Sequence, residues 1–179
     1  VPFSGPLAPN RHMDKLFIFL LGGKHPCARL EVHDILPAIA RHYREAFPQL
    51  LRQWFGTPEG AHVDGWFCLD GLEGYRLEFS AEPPASDAPR LYLINLGGYL
   101  AHAFGEQHKY VPVVAHDAAE AKRKGKQQAE REWLLPHADA VIDVDDCLLI
   151  DRVDGRHIRL RPGEHSPPSW TNHYELLDG

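Results

Sequence analysis

The feature that most constrains this chain is a string that occurs twice. Lys15-Leu-Phe-Ile-Phe-Leu-Leu-Gly22-Gly23 is followed by Glu31-Val-His33. At an offset of 75, Arg90-Leu-Tyr-Leu-Ile-Asn-Leu-Gly97-Gly98 is followed by Glu106-Gln-His108. Other landmarks repeat at that offset: Pro37 with Pro112, and His62-x-Asp64 with His137-x-Asp139. Six extra residues then intervene, and Leu148–Asp151 with Gly155–Leu160 replays the end of the first half at an offset of 81. Self-similarity of this kind is the signature of repeated supersecondary units. The expected fold is α+β: two tandem duplicated β-β-α-β-β units related by pseudo-two-fold symmetry, with helices packed on antiparallel sheet.

Within each unit the local signals follow chain order. Residues 15–21 are apolar after Lys15, as in a strand covered on both faces, and Gly22-Gly23 is expected to end it in a turn. Residues 31–36 alternate polar and apolar like a half-buried strand, which Pro37 confines to an edge or terminates. Tyr43, Phe47, Leu50, Leu51 and Trp54 recur at helical spacing between Ala40 and about Phe55, with Pro48 expected to kink or shorten the helix. His62–Asp70 and Tyr75–Phe79 read as strands of one hairpin, turned by Gly71-Leu-Glu-Gly74. In the second half, Tyr110–Ala115 is the second strand and Asp117-Ala-Ala-Glu120 is a capping box opening a helix to about Trp133.

The domain boundaries expected are a first repeat over 13–80, a linker over 81–89, a second repeat over 90–161 and an extended tail over 162–179. The linker is proline-rich, with little that is large to bury. The tail is expected to be pinned by Trp170 or to reach a neighbouring chain. Residues 1–12 are rich in Pro and Gly, lack periodicity and end at Met13, so they read as a tag or vector remnant.

Charge and composition bound the function. The hydrophobic fraction is 44%, enough for a core, and no apolar run is longer than Leu16–Leu21, far short of the roughly 20 residues that span a bilayer. A net charge of −6 argues against nucleic acid and anionic membranes as partners. The basic run Lys122–Lys126 sits among glutamates and reads as a solvated helix face. Three cysteines, with no Cys-x-x-Cys, indicate neither a disulfide framework nor a thiolate zinc site, so a reduced, cytoplasmic protein is expected.

Several motifs together carry a family resemblance. LGGKHP, ExHD, QWFGTPEGAHVDGW and DGxEGY, then INLGGY, FGEQHKY and DVDDCLLIDRVDG, resemble the bacterial domain-of-unknown-function 1543 family over residues 14–161. The resemblance implies prokaryotic, cytoplasmic proteins with one or two copies of a short domain. It implies no activity.

The candidate chemistry lies in the repeated polar residues. On a strand, residues two apart share a face, so Glu31 with His33, and Glu106 with His108, each set a carboxylate beside an imidazole. Such pairs suit a small ligand, or a divalent metal such as zinc, manganese or iron bound by His33, His108, His62 and His137. They equally suit proton transfer, or a structural clasp whose hydrogen bonds are satisfied internally. His62-x-Asp64 and His137-x-Asp139 are candidate ligands or supporting partners. Gly22, Gly23, Gly97 and Gly98 could cradle an anion with backbone amides, although neither Gly-x-Gly-x-x-Gly nor a P-loop is present. Cys27 beside His25 has no counterpart in the second half. The acidic run Asp143-Val-Asp145-Asp146 lacks the spacing of a calcium loop and reads as a solvated lead-in to a strand.

Three functional readings follow. The first is a soluble cytoplasmic small-ligand or metal-binding domain, and the second an acid–base or metal-dependent hydrolase or isomerase. The third is a protein–protein module using the tail and the edge strands.

Overall fold

A computed structural model describes residues 13–133 and 142–178. The expected tag at 1–12 and the His137-x-Asp139 motif lie outside the described residues. In chain order the strands are β1 (Lys15–Gly23), β2 (Val32–Ala40), β3 (His62–Leu69), β4 (Gly71–Leu72) and β5 (Tyr75–Ser80), followed by β6 (Arg90–Tyr99), β7 (Glu106–Ala115), β8 (Ile142–Leu149), β9 (Arg152–Val153), β10 (Arg156–Pro162) and β11 (Ser169–Leu176). The helices are α1 (Phe47–Gln53), preceded by a 3-10 turn over Tyr43–Ala46, and α2 (Ala118–Trp133). The fold is therefore mixed α+β with antiparallel pairing. No helix is long and apolar enough to cross a membrane among the described residues.

Two compact units emerge. One takes the residues up to Leu77 and those from Gly163 onward, and the other is Glu78–Pro162. In the first unit the strand order is β11-β3-β1-β2. Phe17, Phe19 and Leu21 of β1 face a core shared with Leu36, Leu50 and Trp54. The alternate residues Leu16 and Ile18 are buried as well, which explains why β1 reads as a continuous apolar run. In the second unit the order is β7-β6-β8, and Tyr92, Ile94 and Leu96 of β6 pack against Val111 and Val113 of β7 and Ala121 and Ala129 of α2. Gly125 lies between those alanines on the helix. A Cβ there would fall 2.8 Å from Ile94 Cγ1, so only glycine lets the helix lie this close to the strand.

Several local expectations are corrected. Pro37 does not end β2; it sits opposite Ile18 and the strand runs on to Ala40. The edge position holds, since β2 is outermost and needs no amide from Pro37 on that side. The helix expected from Ala40 begins only after the 3-10 turn, and Pro48 lies in its first turn, where a missing amide proton costs nothing. β3 does not form a hairpin with β5. The tight hairpin is β4 with β5, turned at Glu73 and Gly74, both with positive φ as a mirror-image two-residue turn requires. β9 and β10 make the same small hairpin around Asp154 and Gly155. Asp117 caps α2 as expected, accepting from the Glu120 amide at 2.8 Å, while Glu120 reaches back to the amide of His116.

The tail is not held by Trp170, which is largely exposed. It returns as β11, pairing antiparallel with β3 from Ser169 opposite Cys68 to Leu176 opposite His62, and Leu177 is buried in the first unit's core. Cys27, Cys68 and Cys147 are unpaired, and burial pushes the Cys68 thiol up from its ordinary value.

Candidate metal centre

The glycine pairs are not turns. Gly22 and Gly23 continue the β1 ladder opposite His33 and Val32, and Gly97 and Gly98 continue β6 opposite His108 and Gln107. None of the four has positive φ, so the expected turn or anion cradle is replaced by a different requirement, which is space. A Cβ on Gly23 would meet the Trp54 ring at 2.8 Å. On the opposite face, a Cβ on Gly22 would lie 2.4 Å from Glu31 Oε1, 2.6 Å from His62 Nε2 and 2.9 Å from Asp64 Oδ2. Polar side chains from three segments therefore converge on the volume that a side chain at position 22 would fill.

The ladder explains the convergence. Gly22 pairs with His33 on one side and His62 on the other, which puts both histidines on its face. Glu31, two residues before His33, lies just ahead of β2. Asp64 is the extra residue of a β-bulge, because Leu21 faces Val63 while Leu20 faces Gly65. A bulge re-aims the side chain it carries, and here that side chain is a carboxylate. His33 Nε2 is 3.2 Å from Asp64 Oδ2 and 3.8 Å from Glu31 Oε1. His62 Nε2 is 2.7 Å from Glu31 Oε1 and 3.5 Å from Asp64 Oδ1.

His62 is 7% exposed, and the tautomer is set by its surroundings. Its Nδ1 lies 2.9 Å from the carbonyl oxygen of Gly60, which can only accept, so Nδ1 carries a proton and donates it. Nε2 then faces carboxylate oxygens. That contact is favourable only with positive charge between them, either a second ring proton or a shared cation. A ring nitrogen donating to a backbone carbonyl while the other nitrogen points at carboxylates is the arrangement of a metal-ligating histidine. Glu31, His62 and Asp64 offer donor atoms that all lie within 4.8 Å of one another.

The second unit repeats the geometry with different side chains. Gly97 pairs with His108 and with Asp143, and Asp145 is the bulged residue between Val144 and Asp146. A Cβ on Gly97 would fall 2.3 Å from Glu106 Oε1 and 2.4 Å from Asp145 Oδ2. His108 reaches Asp145 Oδ2 from Nδ1 at 3.2 Å and Glu106 Oε2 from Nε2 at 3.9 Å. Glu106, His108 and Asp145 form the second convergent set.

The structure brings Glu31, His33 and His62 together in one cluster and Glu106 with His108 in the other, and sequence reasoning weighed Asp64 only as a companion of His62. It missed Asp145 by reading the acidic run as a solvated lead-in. The signal was available: the offset of 81 that matches the closing hairpins also carries Asp64 onto Asp145. Asp145 occupies the bulge of the second unit.

Tyr174 on β11 was also missed. Its ring packs 4.6 Å from the His62 ring, at a second bulge where Asn172 faces Gly65 and Glu175 faces Val63. Next to it, Glu175 accepts from Arg44 Nε at 2.7 Å and from the Tyr43 hydroxyl at 2.8 Å, and these bonds hold its carboxyl down at about 2. Tyr43 in turn stacks on Trp66 with ring centroids 4.4 Å apart, so β11 is tied to the 3-10 turn as well as to β3. His25 Nδ1 accepts from the Cys27 backbone amide at 3.1 Å.

Residues 28–79 match the family described as Domain of Unknown Function (DUF1543), a segment that includes Glu31, His33, His62 and Asp64. Nothing among curated proteins matches the chain. Among solved structures it is similar to the crystal structure of a protein Il1583 from Idiomarina loihiensis, with 33% sequence identity and a TM-score of 0.69, covering 92% of this chain and 99% of that one.

Proposed function

We propose, for a chain that belongs to the same family as protein Il1583 from Idiomarina loihiensis, that its function is to bind a divalent metal ion over Gly22. The ligands in this reading are Glu31, His33, His62 and Asp64. The observation that carries it is His62: a buried imidazole whose Nδ1 is engaged by the Gly60 carbonyl and whose Nε2 faces carboxylate oxygens. A mixed nitrogen and oxygen donor set of this kind suits zinc, manganese or ferrous iron. The protein is read as a bacterial, cytoplasmic one built from a duplicated unit, each half placing a Glu-x-His and a bulged aspartate around a strand glycine. The duplication accounts for the shared ladder register and for the two bulges.

A metal-dependent hydrolase is the second reading. It draws on the half-exposed side chains of Glu31 and His33, which leave one side of the cluster open to a water and a substrate. An ion held there would lower the pKa of a bound water, with Glu31 placed to take its proton.

Elemental analysis of untagged protein, with isothermal titration of zinc into chelator-treated material, tests the primary reading. About one zinc bound over the Gly22 cluster, weakened at least about tenfold by His33→Ala, is the expected result. Wild-type protein that takes up no zinc, manganese or ferrous iron would reduce the cluster to a structural clasp.

A further inference from the structure

The ladder register makes the two clusters comparable atom set by atom set, and the donors at matching places differ. Opposite Gly22 stands His62; opposite Gly97 stands Asp143. Two residues earlier on the same strand face, Leu20 in the first unit corresponds to Asn95 in the second. The first cluster thus offers two imidazoles and two carboxylates, with one imidazole buried. The second offers one imidazole, the carboxylates of Glu106 and Asp145, and further oxygens nearby.

Asn95 supplies an independent observation. Its Nδ2 donates to Asp146 Oδ2 at 2.8 Å, while its Oδ1 is buried and has no hydrogen-bond partner among the described residues. A buried carbonyl oxygen left without a donor is costly and calls for an explanation. It lies on the face of β6 that also carries Gly97, in a neighbourhood where side-chain oxygens outnumber nitrogens. An oxygen-seeking cation over Gly97 would offset the charge of Glu106 and Asp145 on that same strand face.

From this we infer that the two units hold chemically different cation sites: a nitrogen-rich one over Gly22 for a borderline metal such as Zn2+, and an oxygen-rich one over Gly97 for a harder cation such as Mn2+ or Mg2+. The inference rests on the metal-binding reading above and adds the class of ion to each place. Imidazole suits zinc, whereas carboxylate and carbonyl donors suit manganese and magnesium. Burial of His62 under Tyr174 further favours a retained ion in the first unit.

The test uses the untagged full chain after chelator treatment, titrated with Zn2+ by calorimetry and with Mn2+ by electron paramagnetic resonance. Three proteins are compared: wild type, His33→Ala in the first unit and Asp145→Asn in the second. Both substituted residues are partly exposed, and thermal melts verify folding. Expected is a Zn2+ site weakened at least about tenfold by His33→Ala and unmoved by Asp145→Asn, and a Mn2+ site with the opposite response. Asn95→Leu, which installs the residue of the first unit, is expected to weaken Mn2+ alone. Zn2+ and Mn2+ competing for one site, or Mn2+ binding that follows His33 rather than Asp145, would overturn the inference. Zinc bound with no second cation would overturn it while leaving the metal-binding reading intact; no metal at either place would overturn both.

Discussion

The first and second units share a ladder and differ in what covers it. In each, a central strand carries a glycine pair near its end, a Glu-x-His lies at the start of one neighbour, and a bulged aspartate lies on the other. The face away from the polar cluster is packed in two ways. The first unit fills it with aromatic bulk, Phe17, Phe19 and Trp54, beneath a seven-residue helix. The second lowers a 16-residue helix onto β6 through small residues, Ala121, Gly125 and Ala129. The difference teaches that the register and the bulge are the shared part, because they place the polar side chains of each cluster. The covering layer needs only to fill volume, and large side chains with a short helix do so as well as small side chains with a long one.

The largest effect should come from emptying the two cores at matching positions. Phe19→Ala should cost about 3–5 kcal/mol and Ile94→Ala about 2–5 kcal/mol, read from urea unfolding, since both side chains are fully buried. A cost below 1 kcal/mol at either site would show that its unit is loosely packed. Next comes Gly125→Ala, which sharpens the contrast between coverings. Alanine favours helix by roughly 1 kcal/mol over glycine, yet its Cβ would press on Ile94, and overpacking of about 1–3 kcal/mol should prevail. A stabilised variant would mean that the helix has room to move away.

Gly65→Ala probes the strand that only the first unit possesses among the described residues. Its Cβ would stand 2.7 Å from the Thr171 carbonyl oxygen, so β11 should loosen from β3. Faster amide exchange across Ser169–Leu176, with exchange in β6 and β7 unchanged, is the expected pattern. The smallest effect concerns Glu175. Its folded value of about 2 lies below the roughly 4.3 of an unfolded glutamate. Its contribution is therefore complete above about pH 4.3 and fades as pH falls towards 2. The melting-temperature gap between wild type and Glu175→Gln should be full at pH 6 and close on acidification; a gap that widens there would refute the assignment.

Much of the succession of strands and helices along each half was legible because its signals are local. An apolar run, a Glu-x-His at fixed distance and an edge proline each report on a few neighbouring residues. What escaped was the non-local part. Nothing near Ser169–Leu176 announces that β3 is its partner, since backbone pairing leaves no mark on distant side chains. Pro48 shortens the helix as expected, but by opening its first turn rather than by breaking its interior, and the sequence does not say which of the two it does. The glycines were assigned to turns because φ is their usual reason; here the reason is the side chains that crowd the missing Cβ. Asp145 was hidden by a change in spacing. The offset between halves changes before β8, so matching by constant spacing selected Asp139 instead.

The return of β11 to the first unit sets an order of events during synthesis. Its partner strand lies roughly a hundred residues earlier in the chain, and every strand of the second unit is translated between the two. The second unit can close while the ribosome still holds β11, whereas the first must wait with the edge of β3 bare. Long-range pairing of this sort is slow and leaves an unpaired edge open to other chains in the interval. The first unit is begun first and finished last, and the nascent chain is most vulnerable to misassembly along β3.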